Sequence, residues 1–171
     1  MVTYTRLLRA TRIFLLIPTI VLSGAIAAHA EKPPDSPDFI QQILPDSTSL
    51  QGKVVYIDFW ASWCVPCRHS FPWMQELYRE YHGRGFEIIA VNVDKDHAAA
   101  LKFLKENPAS FPIVFDSTGA IAKKYNLDAM PTSFIYGRTG KLETTHRGFK
   151  RDEVDGVDDT VLRLLREGET K

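Results

Sequence analysis

The sequence predicts an α/β domain, a central mixed β-sheet flanked by helices. Three observations predict it. Val54–Trp60 and Phe86–Val93 are near-continuous apolar, β-branched runs, as strands buried on both faces require. Stretches with helical spacing of apolar residues separate the strand candidates. Near the C-terminus two strand candidates run together before a last amphipathic helix. The chain has 171 residues, 44% hydrophobic and 25% charged, which is ordinary for a globular protein. That composition excludes a disordered chain, a fibrous repeat and a multi-span membrane protein. Lys+Arg and Asp+Glu number 21 each, so the formal net charge is +0. No electrostatic argument then supports a nucleic-acid partner.

The first thirty residues stand apart. Arg6, Arg9 and Arg12 are their only charges, an uncharged stretch starts at Ile13, and small residues end it at Ala28-His29-Ala30. This is the order of a secretory signal, so residues 1–30 are expected to be a signal peptide cleaved near Ala30. An uncleaved membrane anchor is the alternative, since Ile13 to Ala30 is uncharged and a span needs roughly 20 apolar residues. Loss of residues 1–30 removes three arginines and no acid, so the mature chain is mildly acidic. Residues 31–50 form a proline-rich leader, Glu31-Lys32-Pro33-Pro34-Asp35-Ser36-Pro37 at its start, expected to be extended or mobile. A short strand or hairpin is expected near Gly52-Lys53. Residues 51–171 are the folded domain.

Within that domain Val54–Trp60 is the central strand, with Asp58 breaking its apolar pattern. A helix follows, carrying Phe71, Met74, Leu77, Tyr78 and Tyr81 on one side; Pro72 should kink it, and Gly83 and Gly85 end it. Phe86–Val93 is the second strand. Asp96 caps the next helix, whose buried face should be Ala98, Leu101 and Leu104, and Asn107-Pro108 stops it. Phe111–Phe115 reads as a short strand and Ser117–Tyr125 as a short helix. Thr132–Tyr136 is a strand that turns at Arg138-Thr139-Gly140-Lys141 and pairs with Leu142–His146. The last helix should span Asp152–Arg166, its stripe formed by Val154, Val157, Val161, Leu164 and Leu165. Its acids come first and its arginines last, as the helix dipole favours.

The chain has two cysteines, Cys64 and Cys67, too few for a fold framed by disulfides. They fall where a buried strand hands over to a helix. Separated by two residues on a first helical turn, they can close a disulfide. The helix N-terminus offers free N–H groups and partial positive charge, which favour a thiolate on Cys64. Pro66 suits that first turn because it lacks an N–H that would go unpaired. Cys64 is thus the candidate nucleophile and Cys67 the resolving thiol. A zinc site would need a second half, and His69, His82, His97 and His146 show no ligand spacing. No metal is therefore expected. An inert disulfide would close a very short loop and gain little. Redox chemistry is the favoured reading.

Asp58-Phe59-Trp60-Ala61-Ser62-Trp63-Cys64-Val65-Pro66-Cys67-Arg68 resembles the active-site segment of the thioredoxin superfamily. Gly52-Lys53-Val54-Val55 is similar to the exported TlpA-like branch of bacterial thiol–disulfide proteins. The likeness continues through Ala90–Asp94, Met130–Phe134, Gly140-Lys141 and Gly148-Phe149, and covers most of residues 50–166. Cys64 and Pro131 are 67 residues apart, longer than in plain thioredoxins. The Asp96–Asn107 helix and the strand after it supply the excess.

The resemblance implies a thioredoxin-like fold with an extra helix–strand insertion before a cis-proline loop. It implies that Met130-Pro131 is that loop and faces the cysteines, with the Met130 backbone free for strand-like pairing with substrate. From the residues alone, Pro131 also reads as a proline at a strand start. The resemblance makes Asp58 the buried acid beneath the cysteines, available for proton exchange. From the residues alone, a solvated acid on an edge strand is the other reading. Trp63, Pro66, Met130 and Pro131 are the candidate substrate-binding residues. Trp60 is assigned to packing and His69 to an exposed helix position.

The chain departs from the family pattern at three places. Ala90 stands where thioredoxin often has a lysine near the buried acid. Ser70 stands where many TlpA-like proteins have a glutamate. Thr132 follows the proline where reductases of cytochrome c maturation often have an acid.

The function implied is periplasmic thiol–disulfide exchange, reducing protein disulfides through Cys64 and Cys67 with no cofactor. The partners expected are protein disulfide substrates and a membrane thiol electron donor, and a monomer is expected. The alternatives are an oxidising exchange protein and a Cu(I)-binding thioredoxin-like chaperone. A thiol peroxidase would need a threonine motif before Cys64, which the sequence lacks. A copper chaperone would need a methionine or histidine cluster near the pair.

Overall fold

Strand β1 (Val54–Trp60) runs through the middle of the molecule, buried at every residue. The computed structural model describes residues 33–42, 44, 49–151 and 154–167. The expected signal peptide lies outside them. Short helix α1 (Asp38–Gln41) precedes β1, and helix α2 (Val65–Tyr81) follows it. Strand β2 (Phe86–Asn92), helix α3 (His97–Glu106), strand β3 (Ile113–Phe115) and helix α4 (Ala120–Lys124) come next. Strands β4 (Thr132–Tyr136) and β5 (Leu142–Arg147) and helix α5 (Val154–Arg166) complete the order.

The five strands form one sheet in the order β3-β2-β1-β4-β5. β1 pairs in parallel with β2 and β2 with β3, whereas β4 is antiparallel to both β1 and β5. This is the expected mixed sheet, and α3 with β3 is the expected insertion before the proline loop. Alternation along β1 sends Val54, Tyr56 and Trp60 into one core with α2, α3 and α5. Val55, Ile57 and Phe59 enter the other, with Ile121 of α4 and Ile40 of α1.

Several expectations need correction. The start of the leader, Glu31–Pro37, was expected to be extended or mobile; its described residues are docked rather than mobile. The Pro34 carbonyl accepts from the Tyr136 hydroxyl at 2.9 Å, the Asp35 carbonyl accepts from the Leu142 N–H at 3.2 Å, and Ile40 is fully buried. The strand or hairpin near Gly52-Lys53 is a turn, with Gly52 at φ 71° and α1 ahead of it. On α3 the buried residues are Ala100 and Phe103, while Leu101 is 49% exposed. Phe103 stacks on Trp60 and Phe71 with centroids 4.9 Å away, so aromatic packing selects a face one step round from the one predicted. α2 runs unbroken through Pro72, which is exposed on its solvent side. β3 begins at Ile113, two residues later than expected, and α4 is shorter than expected because Asp116–Gly119 forms a turn ahead of it, with Gly119 at φ 73°. Asp152, the expected start of the last helix, lies outside the described residues. Asp96 does cap α3, accepting from the Ala98 N–H at 3.0 Å.

Candidate active site

Strand β1 delivers Cys64 to the N-terminus of α2. Cys64 is the cap residue, at φ −81° and ψ 106°, and its sulfur accepts from the Cys67 N–H at 3.3 Å. The same N–H and the helix dipole would favour a thiolate on Cys64. Pro66 sits in the first turn, where a missing N–H costs no intrahelical bond. Cys64 and Cys67 form a disulfide with Cα atoms 5.3 Å apart. Cys67 is fully buried and Cys64 is 5% exposed. A substrate therefore reaches Cys64 first.

Below the cysteines the loop is held from both sides. The buried Asp94 carboxylate accepts from the Ser62 N–H at 2.8 Å and the Ser62 hydroxyl at 3.0 Å. It also accepts from the Asn92 amide at 2.7 Å. The Arg68 guanidinium donates back to the Ser62 carbonyl at 2.9 Å. The Ser70 hydroxyl, buried, donates to the Cys67 carbonyl at 3.0 Å.

A groove of about 540 Å³ opens beside the disulfide. Trp63, Cys64, Val65 and Pro66 line one side, and Leu127–Met130 the other. Trp63 and Val65 are 64% and 62% exposed, so a large apolar surface rims the reactive sulfur. An exposed patch of this kind beside a reactive sulfur suits a protein chain. The Met130–Pro131 bond is cis. The Pro131 carbonyl accepts from the Gly148 N–H at 2.7 Å, and the Thr132 hydroxyl donates to the Ala129 carbonyl at 2.9 Å. Both bonds fix the loop opposite the cysteines.

Asp58 lies deeper, 1% exposed, in the middle of β1. Tyr56 and Trp60 flank it by alternation, so it faces the core that holds Cys67. Its strand neighbours are Ala90 and Ser133. Burial pushes its carboxyl up from the ordinary 3.8 to about 8, and the Ser133 hydroxyl pulls in the opposite direction. Asp58 Oδ2 has no hydrogen-bond partner among the described residues. The edge-strand alternative for Asp58 is thereby excluded: β1 is central.

Of the residues picked from the sequence, the structure gathers Trp63, Cys64, Pro66 and Met130 around one groove. Pro131 follows Met130 through the cis bond and does not line the groove, and Asp58 sits apart in the core. Trp60 is fully buried against Phe71, and His69 is exposed. Sequence reasoning attached no role to Asp94, Ser133 or Tyr56. Asp94 ends a strand near the motif, and Tyr56 precedes Asp58 by two residues. Those positions are visible in the sequence, but their partners are set by register. Among the described residues no group of three or more His, Cys, Asp or Glu side chains could hold a metal ion.

Comparison with known proteins fits this geometry. The Redoxin family model matches residues 41–161. The thiol-disulfide oxidoreductase ResA of Bacillus cereus (strain ATCC 10987 / NRS 248) is 31% identical over 156 residues, 82% of this chain and 90% of that protein. ResA of Bacillus subtilis (strain 168) is 31% identical over 140 residues, 80% of this chain and 76% of that protein. Among solved structures, a candidate thiol:disulfide interchange protein DsbE from Chlorobium tepidum is 43% identical. It superposes with a TM-score of 0.66 over 68% of this chain and 82% of that one. StoA from Bacillus subtilis is 30% identical, with a TM-score of 0.54 over 62% of this chain and 82% of that one.

Proposed function

The chain belongs to the Redoxin family, as a TlpA-like thiol–disulfide oxidoreductase of the thioredoxin superfamily, and on that premise we propose that it reduces protein disulfides in the periplasm. The observation that carries the mechanism is the asymmetry of the pair: Cys64 opens onto the groove and Cys67 is sealed. In the reduced protein the Cys64 thiolate attacks a substrate disulfide. A mixed disulfide forms and one substrate sulfur leaves as a thiolate. The Cys67 proton passes to the Asp58 carboxylate, and the Cys67 thiolate attacks the Cys64 sulfur. The second substrate sulfur leaves, and the two electrons of the dithiol now reside in the substrate. Both substrate thiolates take protons from water, and Asp58 returns its proton on the next cycle.

Trp63, Pro66, Met130 and Pro131 hold the substrate chain in this reading. The Met130 backbone pairs with it as a strand would. The reducing direction is supported by Val65 and Pro66, neither of which adds positive charge beside Cys64. Export is supported by the charge order of residues 1–30, the cleaved signal. Residues 31–50 then form the leader and 51–171 the thioredoxin-like domain. A reductant outside the cytoplasm must be recharged, which calls for a membrane thiol donor. The protein acts as a monomer, without a cofactor.

Equilibration with glutathione, followed by Trp60 and Trp63 fluorescence, tests the direction. The expected potential lies between about −200 and −290 mV; a value above about −150 mV makes the protein an oxidant instead.

A further inference from the structure

Two buried hydroxyls, those of Tyr56 and Ser133, lie on the same face of the sheet as Asp58. The Tyr56 hydroxyl is 2.6 Å from Ser133 Oγ, both buried, and the two residues are 77 positions apart in the chain. Ser133 pairs directly with Asp58 across the β1–β4 ladder, and Tyr56 is the next residue of β1 on the same face. A serine has a single hydroxyl hydrogen, and an ionised carboxylate can only accept. With Tyr56 donating to Ser133 Oγ, the Ser133 hydrogen is left for Asp58. We propose that Tyr56 and Ser133 are positioning residues for Asp58, forming a directed chain in which Tyr56 donates to Ser133 and Ser133 donates to the carboxylate. The chain selectively stabilises the ionised acid, the form that accepts the Cys67 proton. The inference rests on the reading of Asp58 as that acceptor.

The surroundings leave this task to the hydroxyls. Ala90 faces Asp58 from β2 and carries no charge. From α2 come Cys67 and Trp73, the Trp73 ring meeting that of Tyr56 edge-on at 6.0 Å. From α5 comes Asp158, an acid that acts on Tyr56, not a cation. The Tyr56 hydroxyl itself is held protonated, its pKa raised well above 10.0 by burial and then by Asp58. It therefore stays a donor across the working pH range. A pair serving only to satisfy two buried hydroxyls would not touch the acid's titration.

Carboxyl NMR of the oxidised full-length protein, labelled at aspartate and with Asp58→Asn identifying the signal, reads the Asp58 midpoint directly. Ser133→Ala should raise that midpoint by about one pH unit, the size of a hydrogen bond to a charged group. Tyr56→Phe, which keeps the ring against Trp73, should raise it by less. Tyr56→Phe added to Ser133→Ala should change nothing further, because Tyr56 acts through Ser133. Equal midpoints in wild type and both single variants would overturn the proposal, as would fully additive shifts. The pH profile of disulfide exchange separates the two ideas. A carboxyl midpoint that moves while the exchange profile stays put supports the hydroxyl chain and removes Asp58 from the mechanism.

Discussion

Asp94 holds Ser62 by two hydrogen bonds, one from the backbone N–H at 2.8 Å and one from the hydroxyl at 3.0 Å. Ser62 is two residues before Cys64, so a buried carboxylate at the end of β2 anchors the loop that presents the reactive sulfur. The loop, in turn, is tied to α2 through Arg68.

Asp94→Ala should therefore strip partners from Ser62 and Asn92 together. Leaving such donors unpaired costs about 2–3 kcal/mol. Urea unfolding should show that loss in the midpoint, and disulfide exchange should slow as the loop loosens. Unchanged stability in Asp94→Ala would show that water replaces the carboxylate.

Cys64→Ser should abolish reduction of insulin disulfides, because no accessible sulfur remains. Cys67→Ser should accumulate mixed disulfides with substrates, since attack survives and resolution does not. Alkylation of the reduced wild type at neutral pH, followed by peptide mapping, should label Cys64 before Cys67. The reverse order would exchange their roles.

Asp58 makes stability fall with rising pH. Its folded value, about 8, lies above the ordinary 3.8. Below pH 4 the acid is protonated in both states and folding is not penalised. Between about pH 4 and 8 the unfolded chain ionises first, so stability drains away, and the loss levels off above pH 8. The full loss is several kcal/mol. Asp58→Asn should consequently be the more stable protein at pH 8, with the gap closing toward pH 4 in paired thermal melts. The same variant should exchange disulfides more slowly near neutral pH, on the order of a hundredfold. Wild-type kinetics in Asp58→Asn from pH 6 to 8 would rule the acid out as proton acceptor.

N-terminal analysis of protein recovered from the periplasm should find a start at or near Glu31. Retention of Arg6, Arg9 and Arg12 would identify an anchor.

Local chemistry determined a large part of this protein from the sequence. An apolar run long enough for a buried strand, followed at once by Cys64-Val65-Pro66-Cys67, places a dithiol at a helix N-terminus, because the strand, the cap and the proline each act over a few residues. The Asp96 cap and the β4–β5 turn are equally local. Tertiary structure decided what depends on distant neighbours. α3 has apolar residues on more than one side, and only Trp60 and Phe71 select Phe103 over Leu101 for burial. The leader looks like a solvated proline stretch until Tyr136 and the Leu142 N–H offer partners to its carbonyls. Asp58 is visible as an acid in an apolar run, but the register of β1 against β4 is what brings Ser133 to it. That pairing joins residues 75 positions apart. A one-residue slip would turn the Ser133 side chain to the opposite face of the sheet, because side chains alternate along a strand.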